Sequence, residues 1–161
     1  MNVEFHDELI TGGGLQACLR LASDGDEECQ EYAAFSLAFA SSNRDLQREL
    51  VERGALAPLV RLMGSEAEPR QYAALALLKL ADNFENHVAI AKAGGLQALL
   101  QLGRGGLVDD EFQCAAVKML GVISSNVAAM LPKHTGSDGT VTITGDLGVS
   151  AERMLESKTQ V

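Results

Sequence analysis

Leucine and alanine recur along this chain at spacings of three and four residues, in three blocks of similar sequence. The similarity is clearest in GGLQACLRL from Gly13, GALAPLVRL from Gly54 and GGLQALLQL from Gly94. The three glycines lie 41 and 40 residues apart. A repeat of about 40 residues whose apolar positions follow the helical period predicts stacked helices that bury one face against their neighbours.

Each block predicts a short helix, a glycine break, a second helix and, after a polar loop, a longer third helix. The first helices are predicted over 3–11, 44–53 and 85–93, the second over 15–22, 56–63 and 96–102, and the third over 27–40, 70–81 and 111–124. Asn43 and Asn83 stand where two of the first helices need N-caps. The glycine breaks allow the positive φ of a tight corner between helices.

The repeat pattern stops after Asn126, and Pro132 ends any helix that begins near Ala128. The TVTIT segment over 140–144 has strand propensity but no evident partner strand. We therefore predict an all-α domain over 1–126, with repeats at about 1–41, 42–82 and 83–126. Residues 127–161 are predicted to form a largely irregular, flexible tail, and a tail docked on the last helix is the alternative.

The third block also carries a family resemblance. NFENHVAIAKAGGLQALLQL, from Asn83 to Leu102, resembles the armadillo-repeat consensus of two spaced Asn, an Ile, a Gly-Gly pair and a leucine helix, and ALAPLVRLM from Ala55 resembles its second half. The resemblance implies a right-handed α-solenoid of about three armadillo repeats with three helices each. It also implies that the third helices line a concave groove that binds proteins or peptides, and that the chain is not an enzyme.

Aligning the Ala-Ala pairs of the three predicted third helices gives a candidate groove. Its residues are Glu31, Phe35, Phe39, Gln71, Leu75, Lys79, Gln113, Val117 and Gly121. The Trp and Asn with which importin-α-type armadillo proteins hold basic nuclear-localisation peptides are absent from every repeat, which argues against an import receptor. The groove is predicted to take a helix or an extended segment with apolar anchors. Alternatively, Phe35, Leu75 and Val117 pack between neighbouring helices.

Composition narrows the function classes. The chain has 161 residues and a formal net charge of −9, which disfavours general nucleic-acid binding. Its three cysteines have neither disulfide-framework nor zinc-site spacing, and no catalytic, metal or cofactor motif is present. No signal peptide is visible, and no apolar run approaches membrane-spanning length. We expect a protein-binding scaffold or adaptor in the cytoplasm, with the nucleus as the alternative, no cofactor and no direct membrane insertion.

Two further interpretations stay open at this point. The chain could self-associate through the last repeat, where Val117, Leu120, Ile123 and Met130 are predicted to be partly exposed, or it could be a piece of a longer repeat array. Thr159 and Val161 also match the pattern of a C-terminal PDZ ligand, although so short a pattern occurs in many unrelated proteins.

Overall fold

The computed structural model describes residues 12–65, 68–104, 110–130, 133–135 and 141–143. Its helices are α1 (Gly14–Asp24), α2 (Glu27–Ser41), α3 (Arg44–Glu52), α4 (Leu56–Leu62), α5 (Pro69–Ala81), a 3-10 turn (Phe84–Asn86), α6 (His87–Lys92), α7 (Gly95–Gly103) and α8 (Asp110–Met130). The prediction of an all-helical domain is confirmed. The helix predicted over 3–11 lies outside the described residues.

The three glycines that begin the similar segments all adopt the left-handed backbone conformation. Gly13, Gly54 and Gly94 have φ angles of 79°, 88° and 85°. They are the positive-φ residues of the described chain, and each immediately precedes or begins the turn into a second helix. Because other residues rarely adopt this conformation without strain, the predicted role of Gly54 and Gly94 as corners between helices is confirmed. The helix predicted before Gly13 lies outside the described residues.

Short polar side chains begin several helices. Asn43 accepts a hydrogen bond from the backbone N–H of Asp45 at 3.0 Å, and Asn83 accepts one from Glu85 at 3.1 Å. Asp26 caps α2 by accepting from the Cys29 N–H at 2.9 Å. These bonds satisfy N–H groups that the first turn of a helix leaves without an intrahelical partner.

Alanines allow α2 and α5 to pack closely along much of their lengths. Ala34 on α2 and Ala73, Ala74 and Ala76 on α5 are fully buried, while Leu37 and Leu77 fill the space around them. Small side chains let the two helix axes approach each other. The leucines around them then remove apolar surface from water, which stabilises the fold by roughly 25 cal/mol for each Å² buried. The α2–α5 pair is therefore the centre of the core.

The C-terminal end of α5 is held by side chains from other segments. The carbonyl oxygens of Lys79, Leu80 and Ala81 contact Gln47 Nε2 at 2.9 Å, Asn86 Nδ2 at 3.0 Å and His87 Nε2 at 2.8 Å, respectively. All three side chains are buried. Carbonyls that the last turn of a helix leaves without an amide partner are thus satisfied inside the domain.

The last helix runs further than predicted. α8 continues to Met130, beyond the boundary expected at 126, and the prediction of irregular structure is wrong for 127–130. Ile123 is fully buried, so its expected exposure is also wrong, whereas Val117 is 56% exposed. The helix continues because Val127 lies one turn after Ile123 on the same buried face.

Two short strands follow α8. Lys133–Thr135 pairs antiparallel with Val141–Ile143, and Lys133 lies opposite Ile143. The expectation that TVTIT lacks a partner strand is therefore wrong. Sequence reasoning missed the partner because Lys133 and His134 have little strand propensity of their own. Residues 136–140 and 144–161 lie outside the described residues, and the division into three repeats and a tail stays a prediction.

Among the helices that the structure describes, α8 alone is long and apolar enough to cross a membrane by length and composition. A helix of a folded domain passes the same test, and α8 packs on α7 and α6 with Ala116, Ile123 and Val127 buried. Asp110, Glu111 and Lys118 interrupt its sequence, so α8 is not an uninterrupted apolar run. The absence of membrane insertion stays a prediction.

Candidate protein-binding face

An aromatic stripe lies exposed along α2. Tyr32, Phe35 and Phe39 are 64%, 50% and 55% exposed. They occupy positions i, i+3 and i+7 and so share one face of the helix, while Ala34 and Leu37 bury the opposite face. Large aromatic side chains that stay in water on one continuous face are typical of protein-binding surfaces.

The stripe continues onto α5 through Tyr72. The ring centroids of Phe35 and Tyr72 are 5.2 Å apart, with an interplanar angle of 83°. This edge-to-face arrangement is favoured by the ring quadrupoles. Leu75 and Lys79 follow Tyr72 at three and seven residues, and therefore lie on the same face of α5. The aromatic stripe and this face of α5 form one surface.

A cleft of about 290 Å³ opens between α5 and α8. It is lined by Leu75, Leu78, Lys79, Asp82, Glu111, Phe112, Ala115 and Met119. Unlike the closely packed α2–α5 pair, α5 and α8 touch sparingly. Larger leucine, phenylalanine and methionine side chains stand here where alanines let α2 and α5 approach, and they give the cleft apolar walls. Lys79, Asp82 and Glu111 give it a charged rim.

Charge is distributed unevenly over this face. The cleft holds one cation, Lys79, and two carboxylates, Asp82 and Glu111. Within the described residues, the ion pairs are Arg48–Glu52 at 2.7 Å and Arg53–Glu49 at 2.6 Å, both on α3. Lys79 therefore forms no ion pair with either Glu31 or Asp82, and its ammonium is available to a partner.

The structure brings together the predicted site residues of α2 and α5 but separates those of α8. Glu31, Phe35 and Phe39 lie on the stripe or beside it, Leu75 and Lys79 line the cleft, and Gln71 lies exposed one turn before Leu75. Gln113, Val117 and Gly121 do not line the cleft. Val117 instead lies against α7, where a Cβ added to Gly103 would come within 2.8 Å of Val117 Cγ2.

The α8 residues that line the cleft differ from the predicted ones because matched alanine pairs fix equivalent positions along two helices but not the rotation of each helix. The assignment of Gln113, Val117 and Gly121 to a binding groove stays a prediction. Phe112, Ala115 and Met119 recur at three- and four-residue spacing, as the groove-facing stripe of a helix does. That spacing was the signal that could have identified them. Thr159 and Val161 lie outside the described residues.

The cysteine thiols near α2 are poorly suited to nucleophilic chemistry. Burial raises the pKa of the Cys18 thiol. A hydrogen bond with Asp26 and the charge of that carboxylate raise the pKa of Cys29. Because the thiolate is the reactive form, both shifts lower reactivity at neutral pH. No group of three potential ligands for a metal ion occurs within the described residues.

Comparison with known proteins identifies a family. The family model described as the SIL1/FES1/HPBP1 C-terminal domain matches residues 6–130. The crystal structure of an engineered protein matches with a TM-score of 0.63 and 31% sequence identity, over 73% of this chain and 48% of that one. The chain thus spans about half the length of the engineered protein. No curated protein matches.

The family match overturns the armadillo-repeat assignment. The matching domain family is helical and armadillo-like, but it is not an armadillo-repeat family. The Gly-Gly corner and the leucine helix that follow Asn83 reflect packing requirements that such helical domains share. They therefore indicated the helical architecture correctly and the family wrongly.

Proposed function

The chain belongs to the SIL1/FES1/HPBP1 C-terminal domain family, and we propose on that basis that it binds an Hsp70 chaperone and promotes nucleotide exchange on it. The family model describes a nucleotide exchange factor domain, and domains of this family bind Hsp70 chaperones. The match over 6–130 is the observation that carries the proposal. In this role the chain is a protein-binding module and performs no catalytic chemistry itself.

The binding surface proposed for Hsp70 is the face formed by α2, α5 and the α5–α8 cleft. It combines exposed aromatic rings on α2 with an apolar cleft that has a free cation, Lys79. Aromatic residues in partly desolvated positions contribute most of the free energy in protein interfaces, while charges around them set orientation and specificity. The helices are also proposed to form an array of three repeats, with this face on the concave side.

Charge-introducing variants on this face test the proposal. We would measure release of fluorescent ADP from an Hsp70 nucleotide-binding domain in the presence of the full chain, and the affinity of the two proteins by titration. Phe39→Glu and Lys79→Glu should each weaken binding and slow ADP release by about tenfold or more, because the first removes an exposed aromatic ring and the second reverses the charge of the cation in the cleft.

Two matched variants serve as controls. Phe84, 60% exposed in the 3-10 turn, and Lys92, exposed at the end of α6, lie outside the proposed face. Phe84→Glu and Lys92→Glu should bind and release ADP as the parent chain does. Absence of Hsp70 binding by the parent chain would refute the proposed function, whereas equal effects at all four positions would refute only the proposed face.

Self-association is the alternative function, and the exposure of α8 favours it. Val117, Val122 and Met130 are half-exposed apolar residues on this helix, and the position of Gly121 is open. Exposed apolar surface at the end of a helical stack can bind a second copy of the chain. A dimer in light scattering that Val117→Glu converts to monomer would support it, and a monomer at all concentrations would exclude it.

We propose a cytoplasmic location, with the nucleus as the alternative.

A further inference from the structure

The exposed aromatic stripe of α2 lies among carboxylates. Glu28 and Glu31 precede Tyr32 on α2, and together with Phe35 and Phe39 they form one face of the helix. α2 contains no lysine or arginine. Neither Glu28 nor Glu31 forms an ion pair within the described part of the chain. The first half of the proposed Hsp70-binding face is therefore aromatic and negatively charged.

Aromatic rings beside carboxylates favour positively charged side chains of a partner over acidic ones. The faces of aromatic rings carry negative electrostatic potential, so they attract cations, and carboxylates within one or two helical turns add to that attraction. Acidic side chains would be repelled by both features. An arginine can also place its planar guanidinium against a ring while donating hydrogen bonds to a carboxylate.

From these observations we infer that the α2 face binds lysine or arginine side chains of the partner protein, which lie beside apolar anchors. Phe35 and Phe39 supply the ring surfaces, and Glu28 and Glu31 supply the charges. The inference rests on the proposed function for the identity of the partner, but the chemistry of the face is independent of it. The α5–α8 cleft, which contains Lys79, would then accept a different part of the partner.

The chain carries a built-in reporter for this face. Tyr32 and Tyr72 are its only two tyrosines, and it contains no tryptophan. Tyr32 lies on the stripe, and Tyr72 contacts Phe35 edge to face. Intrinsic tyrosine fluorescence therefore reports on the site without a label.

The first experiment titrates the full chain with a synthetic amphipathic helical peptide that presents arginines beside leucines and lacks aromatic residues. A second peptide replaces every arginine with glutamate. The arginine peptide should change the tyrosine fluorescence saturably, and its apparent affinity should fall as salt rises, because screening weakens exposed charge pairs. The glutamate peptide should have no effect. Equal responses to the two peptides would overturn the inference.

Conservative variants then locate the contact. Phe39→Leu keeps apolar bulk but removes the ring, and should weaken arginine-peptide binding by about three- to thirtyfold. The double variant Glu28→Gln, Glu31→Gln should weaken it by about two- to fivefold per charge and flatten the salt dependence. Phe84→Leu and Glu85→Gln make the same changes in the 3-10 turn and should bind as the parent chain does. Unchanged binding by the α2 variants would overturn the inference.

Titration with the Hsp70 nucleotide-binding domain separates this inference from the proposed function. If Hsp70 binds the parent chain but its affinity is unaffected by the α2 variants, the inference fails and the proposed function stands. If Hsp70 does not bind while the arginine peptide binds with the expected variant profile, the proposed function fails and the chemistry of the face stands. If both bind, the arginine peptide should compete with Hsp70.

Discussion

Asn126 and His87 join the last helix to the end of α5 through a chain of two hydrogen bonds. Asn126 Nδ2 lies 3.0 Å from His87 Nδ1, and His87 Nε2 lies 2.8 Å from the carbonyl oxygen of Ala81. Because a carbonyl only accepts, Nε2 carries the ring proton and Nδ1 accepts from the Asn126 amide. His87 is only 2% exposed, so each ring nitrogen depends on these partners.

Removing the amide from this chain should destabilise the domain. Asn126→Leu preserves approximate shape but leaves Nδ1 of buried His87 without a donor, at an expected cost of about 1–3 kcal/mol in the free energy of unfolding. Urea unfolding followed by circular dichroism measures it. Ser125→Ala, at the neighbouring exposed position, is the control. Equal unfolding midpoints for the two variants would show that the hydrogen bond contributes nothing.

Gln47 should matter for a similar reason. Its Nε2 donates to the carbonyl oxygens of Ser41 and Lys79 at 3.0 and 2.9 Å, and so joins the C-terminal ends of α2 and α5. Gln47→Met keeps the length of the side chain but removes the donor, and should lower the free energy of unfolding by about 1–3 kcal/mol. Gln97→Met, exposed on α7, should be nearly neutral. If Gln47→Met leaves the free energy of unfolding unchanged, water has replaced the amide as the donor to these two carbonyl oxygens.

Alanine substitutions at Gly54, a helix corner, and at Gly121, within α8, should have effects of opposite sign on stability. Gly54 has a φ of 88° and space for a Cβ atom, so strain alone decides the effect of Gly54→Ala. We expect a loss of about 1–2 kcal/mol in the free energy of unfolding. Gly121 is exposed within α8 and also has space, so Gly121→Ala should add about 0.5–1 kcal/mol through helix propensity. Thermal unfolding of both variants tests the pair, and a shift of the same sign in both would contradict it.

Asp26 makes the stability of the domain depend on pH. The backbone N–H of Cys29 donates to its carboxylate and lowers the pKa of Asp26 below the ordinary value. A carboxyl whose pKa is lower in the folded state stabilises the protein above the unfolded-state pKa, and that stability is lost as the pH falls through the folded-state pKa. The contribution of Asp26 should therefore disappear in the acid range, at and below about pH 4.

Asp26→Asn isolates this effect, since asparagine is also a good N-cap but has no charge. The parent chain should be more stable than the variant near pH 6, and the difference should shrink as the pH falls to about 3. Unfolding midpoints across that range measure the difference. Asp24→Asn removes a nearby exposed charge as the control. A difference between parent and Asp26→Asn that is constant with pH would contradict the assignment.

The sequence predicted what short-range chemistry determines. Helix positions followed from leucine spacing, the corners at Gly54 and Gly94 from the conformational freedom of glycine, and the cap at Asn43 from its place before a helix. The rotation of α8 depends on which neighbours it contacts, so local patterns did not identify Met119 as a residue of the cleft.

Other features depend on partners that are distant in sequence. His87 falls within the helix predicted over 85–93, and no local pattern there shows that Asn126 and the carbonyl oxygen of Ala81 satisfy its ring nitrogens and let it be buried. The strand at Val141 is recognisable only once Lys133–Thr135 is known to lie beside it. The armadillo-repeat assignment was wrong because the packing rules that its motif reflects are shared by two families of helical domains and do not distinguish them.

Side-chain footprinting of the Hsp70 complex tests the central claim most directly. Hydroxyl radicals oxidise exposed aromatic and methionine side chains, and mass spectrometry measures the oxidation of each residue with and without the Hsp70 nucleotide-binding domain. Binding through the proposed face predicts protection of Tyr32, Phe35, Phe39 and Met119, with Phe84 oxidised equally in both states. Protection of Phe84 with no change along the α2 stripe would contradict the account.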